Sequence, residues 1–449
     1  MAPDALHARP GLPALPALPA LRVGMLGIGT VGSGTCRVLA RNQALIRSRA
    51  GRPVELRMVA ARNLVRAREI TGPGIELMAD PQRLVRHPQI DVVVEAIGGC
   101  TDARTLVLEA ITQGKHVVTA NKALLALHGD EIFAAAQAQR VMVAFEGAVA
   151  VSIPIVKALR EGLAANRIEW LAGIVNGTSN HVLTEMRDKG VPFDGALREA
   201  QRLGYAEADP AFDVEGIDAA HKLALLAAMA FGTRLDFAAI DIEGISAVQP
   251  ADHLWAQRLG HRLKLLAVAR RCAQGLALRV RPTLVPERSM MAGVDGAMNA
   301  VMVQADAAGT TLYYGAGAGS EQTASAVIAD LIDVARLERA SLAQRVPPLG
   351  FHLGARDSAL PVLAAGDVCS RHSLRVTLRE GAGPRAVDGL LSTLADQGVQ
   401  VEMQVSDACE HAFVTAELRE AQMQQAVRTI EALPDVRGPV RRLVVEPLG

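Results

Sequence analysis

The chain has 449 residues, half of them hydrophobic, which is enough for two or three domains. Lysine plus arginine equal aspartate plus glutamate at 47 each, so no charged surface for nucleic acid is expected. Aromatic residues make up 3%, which argues against a base-stacking or sugar-binding platform. Five scattered cysteines without a C-x-x-C pair indicate reduced thiols, a cytoplasmic location and no zinc site.

The first 20 residues are predicted to be a flexible extension. From Pro10 onward every third residue is proline, which prevents the helix of a signal peptide. Elsewhere no apolar run reaches the roughly 18 to 20 residues that span a bilayer, so no membrane partner is expected.

A glycine turn follows the first predicted strand, LRVGMLGIG, over residues 21–29. Its spacing is G-x-G-x-x-G, and a helix-like run over residues 35–45 follows. In a dinucleotide site the glycines allow a tight turn, close approach of the pyrophosphate and close helix packing. The predicted cofactor contacts are Gly27, Ile28, Gly29, Thr30, Val31 and Gly32.

The second predicted strand, residues 54–61, ends at Arg62, where an NAD enzyme usually carries an acidic residue. Arginine suits the extra phosphate of NADP, with NAD as the alternative cofactor. Arg66 and Arg68 fit a solvated helix face equally well.

Two more strand patterns end in polar or glycine residues. DVVVEAIGG ends near Gly98, and HVVTANK ends in Asn121 and Lys122. Alternating strands and helices predict an α/β fold with a doubly wound parallel sheet, and ligands bind beyond the carboxyl ends of such strands. Gly98, Asn121 and Lys122 are therefore predicted to contact the cofactor.

An acidic segment leads into an apolar helix at residues 204–231. Asp218 and Lys222 lie four positions apart and so share one helix face. A lysine in an apolar helix needs a carboxylate partner or a use for its proton. The segment is interpreted as an active site for a cationic, amino-acid-like substrate; the alternative is an exposed ion pair. The carboxylates that precede the helix are Glu207, Asp209, Asp213 and Glu215.

These blocks resemble homoserine dehydrogenases over residues 21–340. The matching stretches are GMLGIGTVGSG, DVVVEAIGG, GKHVVTANKALLA, GIVNGTSNHVLTEM, LGYAEADPAFDVEGIDAAHKLALLA and GAGSEQTASAVIADL. The resemblance implies NAD(P)-dependent interconversion of aspartate 4-semialdehyde and homoserine, on the route to threonine, methionine and isoleucine. It further implies that Lys222 is the general acid-base and that Asp218 holds it or the substrate hydroxyl.

The resemblance also implies substrate and cofactor contacts. Glu207 and Asp213 would bind the substrate ammonium group, with Gly177 and Thr178 near its carboxylate. The segment from Gly315 to Ala326, including Gly319, would return to the nucleotide domain and contact the cofactor. For Asp209 and Glu215 a solvated loop is the preferred interpretation.

A sodium or potassium site is implied at the loop after residue 145. Its ligands would be the backbone carbonyls of Glu146, Val149, Val151 and Ile153. Family members carry glycines in this loop, whereas this chain has Ala-Val-Ser at residues 150–152. Valine resists the backbone angles that glycine allows, so whether this loop still binds a cation stays open.

The predicted domains are nucleotide binding (21–150, completed by about 312–345), substrate binding and dimerisation (151–311), and a C-terminal module (370–449). The C-terminal β-α-β-β-α-β pattern predicts a ferredoxin-like fold, and it resembles the ACT regulatory domain. Its first loop, residues 379–385, departs from the ACT pattern. Two interpretations therefore stay open: the module binds threonine as a regulator, or it serves only in contacts between subunits. A homodimer or homotetramer is expected.

Two other functions stay open at this point. The first is a related semialdehyde or amino-acid dehydrogenase, which rates with a panel of substrates would distinguish from a homoserine dehydrogenase. The second is a cofactor-binding regulatory protein that has lost catalytic activity, which would bind NADPH without any turnover.

Overall fold

The computed structural model describes residues 18–352, 355 and 360–448. Residues 1–17, most of the predicted N-terminal extension, lie outside the described residues. Within the described part, no helix combines the length and the apolar character needed to cross a bilayer.

The first half of the chain forms a six-stranded parallel sheet in the order β3-β2-β1-β4-β5-β6. The strands are β1 (Leu21–Leu26), β2 (Val54–Ala60), β3 (Glu76–Met78), β4 (Val92–Glu95), β5 (His116–Thr119) and β6 (Val143–Ala144). The helices between them are α1 (Thr30–Arg41), α2 (Gln43–Ala50), α3 (Leu64–Thr71), α4 (Pro81–Arg86), α5 (Thr101–Thr112) and α6 (Lys122–Ala138). The predicted doubly wound sheet is confirmed, and its strand order reverses between β1 and β4.

The helix after the glycine turn begins at Thr30, whereas the sequence predicted a start at residue 35. Glycines at positions 32 and 34 weaken the helical pattern, yet both are needed for close packing. A Cβ atom at Gly34 would collide with the backbone oxygen of Ser320, and one at Gly32 with the oxygen of Gly27. Packing therefore outweighs the low helix propensity of glycine.

The middle of the chain forms the antiparallel part of a second, mixed sheet in the order β12-β11-β7-β9-β10. Its strands are β7 (Ile168–Ile174), β8 (Asp241–Ile242), β9 (His261–Cys272), β10 (Gly275–Pro286), β11 (Met298–Ala305) and β12 (Gly309–Ala316), with β8 beside β10. Its helices are α7 (Ile155–Lys157), α8 (Gly177–Lys189), α9 (Phe193–Arg202), α10 (Ala211–Val214), α11 (Ile217–Phe231) and α12 (Pro250–Arg258).

Helix α11 is buried at every residue from Asp218 to Phe231, which explains its apolar composition. It packs on α6 of the first sheet and on β9 of the second. Helix α13 (Ser320–Leu337) then returns to the first sheet and packs against α1, where its apolar face joins the core of β1.

The C-terminal part has the predicted β-α-β-β-α-β order. Its elements are β13 (Cys369–Leu378), α14 (Pro384–Asp396), β14 (Val401–Asp407), β15 (Glu410–Thr415), the two-residue β16 (Leu418–Arg419), α15 (Glu420–Glu431) and β17 (Val436–Val445). Strand β17 also pairs in parallel with β10 through Thr283 with Val444 and Leu284 with Val445. The C-terminal strands therefore continue the central sheet, which the sequence pattern did not predict.

Candidate active site

The candidate site begins where β7 ends and α8 starts. Asn176 caps α8, because its side-chain oxygen accepts a hydrogen bond from the Ser179 amide at 2.8 Å. Its amide nitrogen donates to Asp213 at 2.8 Å and to Asp218 at 2.9 Å. One amide thus joins two carboxylates that lie on different elements. The sequence analysis assigned Gly177 and Thr178 to the substrate but missed the role of Asn176.

Lys222 and Asp218 form the centre of the cluster. The Lys222 ammonium donates to Asp218 at 2.7 Å and to the Val175 carbonyl at 2.6 Å. The two side chains are only 8% and 4% exposed, so the interpretation as an exposed ion pair is wrong. Within the described residues the third hydrogen of the ammonium group has no partner, and it is available to a ligand.

Burial sets the protonation of this pair. Desolvation lowers the pKa of Lys222 from its usual value, and the opposing attraction of Asp218 does not reverse that shift. Desolvation alone would raise the pKa of Asp218, but the ammonium groups of Lys222 and Lys122 hold it below its usual range. Asp218 therefore stays a carboxylate, while Lys222 releases a proton more easily than an exposed lysine.

Lys122 lies in the same cluster. It is the first residue of α6, and its ammonium group is 3.1 Å from the second oxygen of Asp218. The ring of Phe212 lies 5.7 Å from that ammonium group. Sequence reasoning assigned Lys122 to the cofactor because it follows β5. Its contact with Asp218 depends on how α11 packs on α6, which local sequence patterns do not reveal.

The other predicted substrate residues divide into two groups. Asp213 is held by Asn176, and burial raises its pKa. Gly177 and Thr178 begin α8 beside it, and the Thr178 hydroxyl donates to the Tyr205 carbonyl at 2.7 Å. Glu207, in contrast, is exposed on a loop, and among the described residues no hydrogen bond or ion pair is seen from its side chain to these residues. The structure therefore does not bring Glu207 into the cluster.

The glycine turn lies at the carboxyl end of β1. Gly27 has a φ of 94°, and a Cβ atom there would lie 2.6 Å from the Ala96 carbonyl. A Cβ atom at Gly29 would meet nothing within 4 Å, so the backbone here borders open space. Ile28 is buried, and α1 begins at Thr30 without a side-chain cap. Such a helix start offers free amide groups to a phosphate.

Gly98 and Asn121 belong to one network beyond β4 and β5. The buried carboxylate of Glu95 accepts from the Gly98 amide at 2.9 Å and from the Thr119 hydroxyl at 2.6 Å. Asn121 donates to the Gly99 carbonyl at 2.7 Å. Sequence reasoning missed Glu95, although a carboxylate at the end of an apolar strand was a usable signal.

Three further predicted residues border the nucleotide turn. Arg62 is exposed just beyond β2, and its guanidinium group has no ion-pair partner among the described residues. Gly319, at a φ of 140°, precedes α13, and the next side chain, Ser320, donates to the Thr30 carbonyl. Val31 packs partly against the core of the first sheet.

Glu146 anchors the predicted cation loop. Its buried carboxylate accepts from the amides of Val156 at 2.9 Å and Lys157 at 3.0 Å, at the start of α7. Its own amide donates to Asp330 at 2.8 Å. Burial and the nearby Glu146 carboxylate raise the pKa of Asp330 to about 8. The loop is thereby attached to α13 of the nucleotide-binding sheet.

The loop keeps a glycine-like backbone at Val151, whose φ is 57°. That conformation costs a β-branched residue roughly 1 to 2 kcal/mol. Val149 and Ile153 are buried on either side, and the Ile153 carbonyl accepts from Ile155 at 2.8 Å. Val151 therefore adopts a backbone angle that glycine favours, and the Ile153 carbonyl already accepts one hydrogen bond.

Two family models match the chain: homoserine dehydrogenase, NAD binding domain, over residues 27–146, and homoserine dehydrogenase over residues 154–332. A homoserine dehydrogenase of Pseudomonas aeruginosa is 50% identical over 435 residues, which are 95% of this chain and 99% of that protein. That of Neisseria gonorrhoeae is 47% identical over 432 residues, 95% and 98% of the two chains. With its glycine turn and buried lysine, the chain is an NAD(P)-dependent oxidoreductase.

Solved structures agree with this class. A homoserine dehydrogenase from Thiobacillus denitrificans superposes with a TM-score of 0.91 at 53% identity, covering 96% of this chain and 99% of that one. The chain belongs to the homoserine dehydrogenase family. A hyperthermophilic archaeal homoserine dehydrogenase in complex with NADPH matches with a TM-score of 0.61 at 25% identity, covering 72% of this chain and 99% of that one.

Proposed function

We propose that this protein catalyses the reversible NADPH-dependent reduction of aspartate 4-semialdehyde to homoserine, on the route to threonine, methionine and isoleucine, with Lys222 as the general acid-base. The observation that carries the proposal is the buried Lys222 ammonium group, held at 2.7 Å by Asp218 with one hydrogen to spare. It lies in one cluster with Lys122, which begins α6 directly beyond β5 of the nucleotide-binding sheet.

The protein's own groups supply the proton step. The bound nicotinamide supplies the hydride to the aldehyde carbon in the reductive direction. Lys222 gives a proton to the carbonyl oxygen in that direction and takes it from the hydroxyl group in the other. Asp218 and the Val175 carbonyl hold the ammonium group through two of its hydrogens, which leaves the third for the substrate oxygen.

The substrate's charged groups are assigned to the neighbouring polar side chains. Asp213 and Glu207 bind its ammonium group, and Gly177 and Thr178 receive its carboxylate at the start of α8. Support comes from Asp213 being held beside Asp218 by Asn176. Helix starts also favour carboxylates.

The cofactor is assigned as NADP, with NAD as the alternative. The exposed Arg62 beyond β2 suits a 2′-phosphate, and the turn from Gly27 to Gly32 suits the pyrophosphate. Gly98, Asn121, Lys122 and Gly319 are assigned to the remaining cofactor contacts. Sodium or potassium is assigned to the carbonyls of Glu146, Val149, Val151 and Ile153, supported by the backbone of Val151.

We further assign residues 21–150 with 312–345 to nucleotide binding and 151–311 to substrate binding and dimerisation. The C-terminal module, residues 370–449, is assigned as an ACT-like regulatory domain with threonine as the effector, in a homodimer or homotetramer. The ferredoxin-like order of its elements supports this assignment.

Initial rates of NADPH oxidation with aspartate 4-semialdehyde test the proposal. Measurements with NADH, with sodium or potassium, and with threonine test its finer parts. NADPH binding seen by calorimetry without turnover at any salt concentration would contradict the proposal. A faster rate with another semialdehyde would show that the other compound is the substrate.

A further inference from the structure

The acidic loop at residues 206–211 is fixed at both ends to helix α8. At its N-terminal end the Thr178 hydroxyl donates to the Tyr205 carbonyl at 2.7 Å. Beyond its C-terminal end the Ser179 hydroxyl donates to the Asp213 carbonyl at 2.9 Å. Two consecutive side chains of one helix therefore hold the two bases of the loop at a constant separation.

The middle of the loop is held only weakly. Gln201 donates to the carbonyls of Glu207 at 3.0 Å and Ala208 at 3.4 Å. The Asp209 side chain accepts from Ala211 within the loop itself. The carboxylates of Glu207 and Asp209 are exposed. Apart from Ala206, which is buried in the core, the residues of the loop are exposed or half-buried, and residues 207–211 can move without disturbing the core.

Two aromatic residues border the loop, and each stacks on a histidine of a neighbouring helix. The ring of Tyr205 lies 4.4 Å from that of His181 on α8, and the ring of Phe212 lies 5.4 Å from that of His221 on α11. His181 and His221 are only 9% and 4% exposed. Each has a buried ring nitrogen without a hydrogen-bond partner among the described residues. These ring contacts therefore form without a hydrogen bond from that nitrogen of either histidine.

The C-terminal aromatic residue also touches the catalytic cluster. The Phe212 ring lies 5.7 Å from the Lys122 ammonium group, which in turn lies 3.1 Å from Asp218. The C-terminal end of the loop therefore lies beside the charged groups of the proposed reaction centre.

We propose that Tyr205 and Phe212 are positioning residues that hold residues 206–211 as a substrate flap, which closes over bound aspartate 4-semialdehyde and brings Glu207 to its ammonium group. The inference rests on the proposed function, because it takes the role of Glu207 from there. It explains why Glu207 is exposed in this structure while Asp213 is already in the cluster.

The test compares Phe212→Leu and Tyr205→Leu with the full-length wild type. Each variant keeps an apolar side chain but loses the ring that stacks on histidine. We expect the KM for aspartate 4-semialdehyde to rise about tenfold in both variants and the KM for NADPH to stay within about twofold, because binding contacts to one substrate are lost. Tyr205 lies away from the catalytic lysines, so kcat is expected to stay within about twofold in Tyr205→Leu. Phe212→Tyr and Tyr205→Phe are expected to restore the wild-type KM.

Phe237→Leu is the matched control. Phe237 stacks on His221 at 4.5 Å but does not border the loop. If Phe212 acted only by fixing His221 in α11, Phe212→Leu and Phe237→Leu would raise the KM equally. That result would overturn the flap proposal. A KM that is unchanged in Phe237→Leu supports it.

A double-mutant cycle with Glu207→Gln completes the test. If the flap delivers Glu207, adding Phe212→Leu to Glu207→Gln raises the KM by less than about twofold further, because both changes remove one interaction. Fully multiplicative effects would contradict the flap. Failure of the wild type to turn over would instead refute the proposed function, so the two failures are distinguishable.

Discussion

Lys222 and Lys264 are two buried lysines with the same kinds of partners. Lys264 donates to the Val294 carbonyl at 2.6 Å and to Asp295 at 2.7 Å, as Lys222 does to Val175 and Asp218. Desolvation lowers the pKa of both ammonium groups. Burial, a carboxylate partner and a shifted pKa therefore do not separate the two sites.

The difference lies in the carboxylates. Asp295 is 41% exposed and is also bound by Arg187 at 2.7 Å, so a fixed guanidinium group satisfies it at the surface. Asp218 is 4% exposed and is shared with the second lysine, Lys122. Lys264 lies on β9, whereas Lys222 and Lys122 meet beyond a strand of the nucleotide-binding sheet. Under the proposed function, Lys222 is the catalytic lysine of the two because it and Lys122 meet beyond a strand of the nucleotide-binding sheet.

The largest expected difference is in turnover. Lys222→Ala removes the proton donor, and we expect kcat/KM to fall by about 10³-fold. Lys264→Ala removes a lysine with the same partners, and kcat/KM is expected to stay within about twofold of the wild type. Rates are measured with both variants shown to be folded by circular dichroism. Equal losses in the two variants would remove the distinction between the sites.

The aspartates give a second, smaller contrast. Asp218→Asn keeps the shape of the side chain but not the charge that orients Lys222, so kcat/KM should fall by about 10²-fold. Asp295→Asn should leave kcat/KM unchanged, since its charge serves Lys264 and Arg187. Steady-state kinetics on the pair checks this, and a large loss in Asp295→Asn would contradict the account.

The smallest effect is on stability at the second site. Lys264→Ala removes the hydrogen bonds to the Val294 carbonyl, which still accepts from Asn180, and to Asp295, and we expect a loss of about 2 kcal/mol in the free energy of unfolding. Urea denaturation of the wild type and of Lys264→Ala measures this loss, provided that the unfolding free energy depends on urea concentration with the same slope in both. An unchanged midpoint would mean that Lys264 contributes nothing to the fold.

Features within one element could be predicted from the sequence. Asp218 and Lys222 share a helix face because their spacing is four, and the glycine turn follows its strand directly. Features that join distant elements could not be predicted. The contact of Lys122 with Asp218 and the bridge made by Asn176 depend on how α6, α8 and α11 pack.

Two structural surprises have the same origin. The parallel pairing of β10 with β17 joins strands far apart in the chain, and no local pattern encodes it. Val151 has a positive φ, which a β-branched residue resists, in a loop whose first residue, Glu146, is bound by Val156, Lys157 and Asp330. Tertiary contacts here outweigh the preference of a single residue.

The most direct test of the central claim is the pH dependence of kcat/KM for homoserine oxidation. Lys222 must be neutral to accept the hydroxyl proton, so the rate rises with pH and levels off below the usual lysine pKa of 10.5. The Asp218 carboxylate raises that pKa, so the rise should move to lower pH in Asp218→Asn and stay in place in Asp295→Asn. A rise that does not move in Asp218→Asn would show that another group carries the proton.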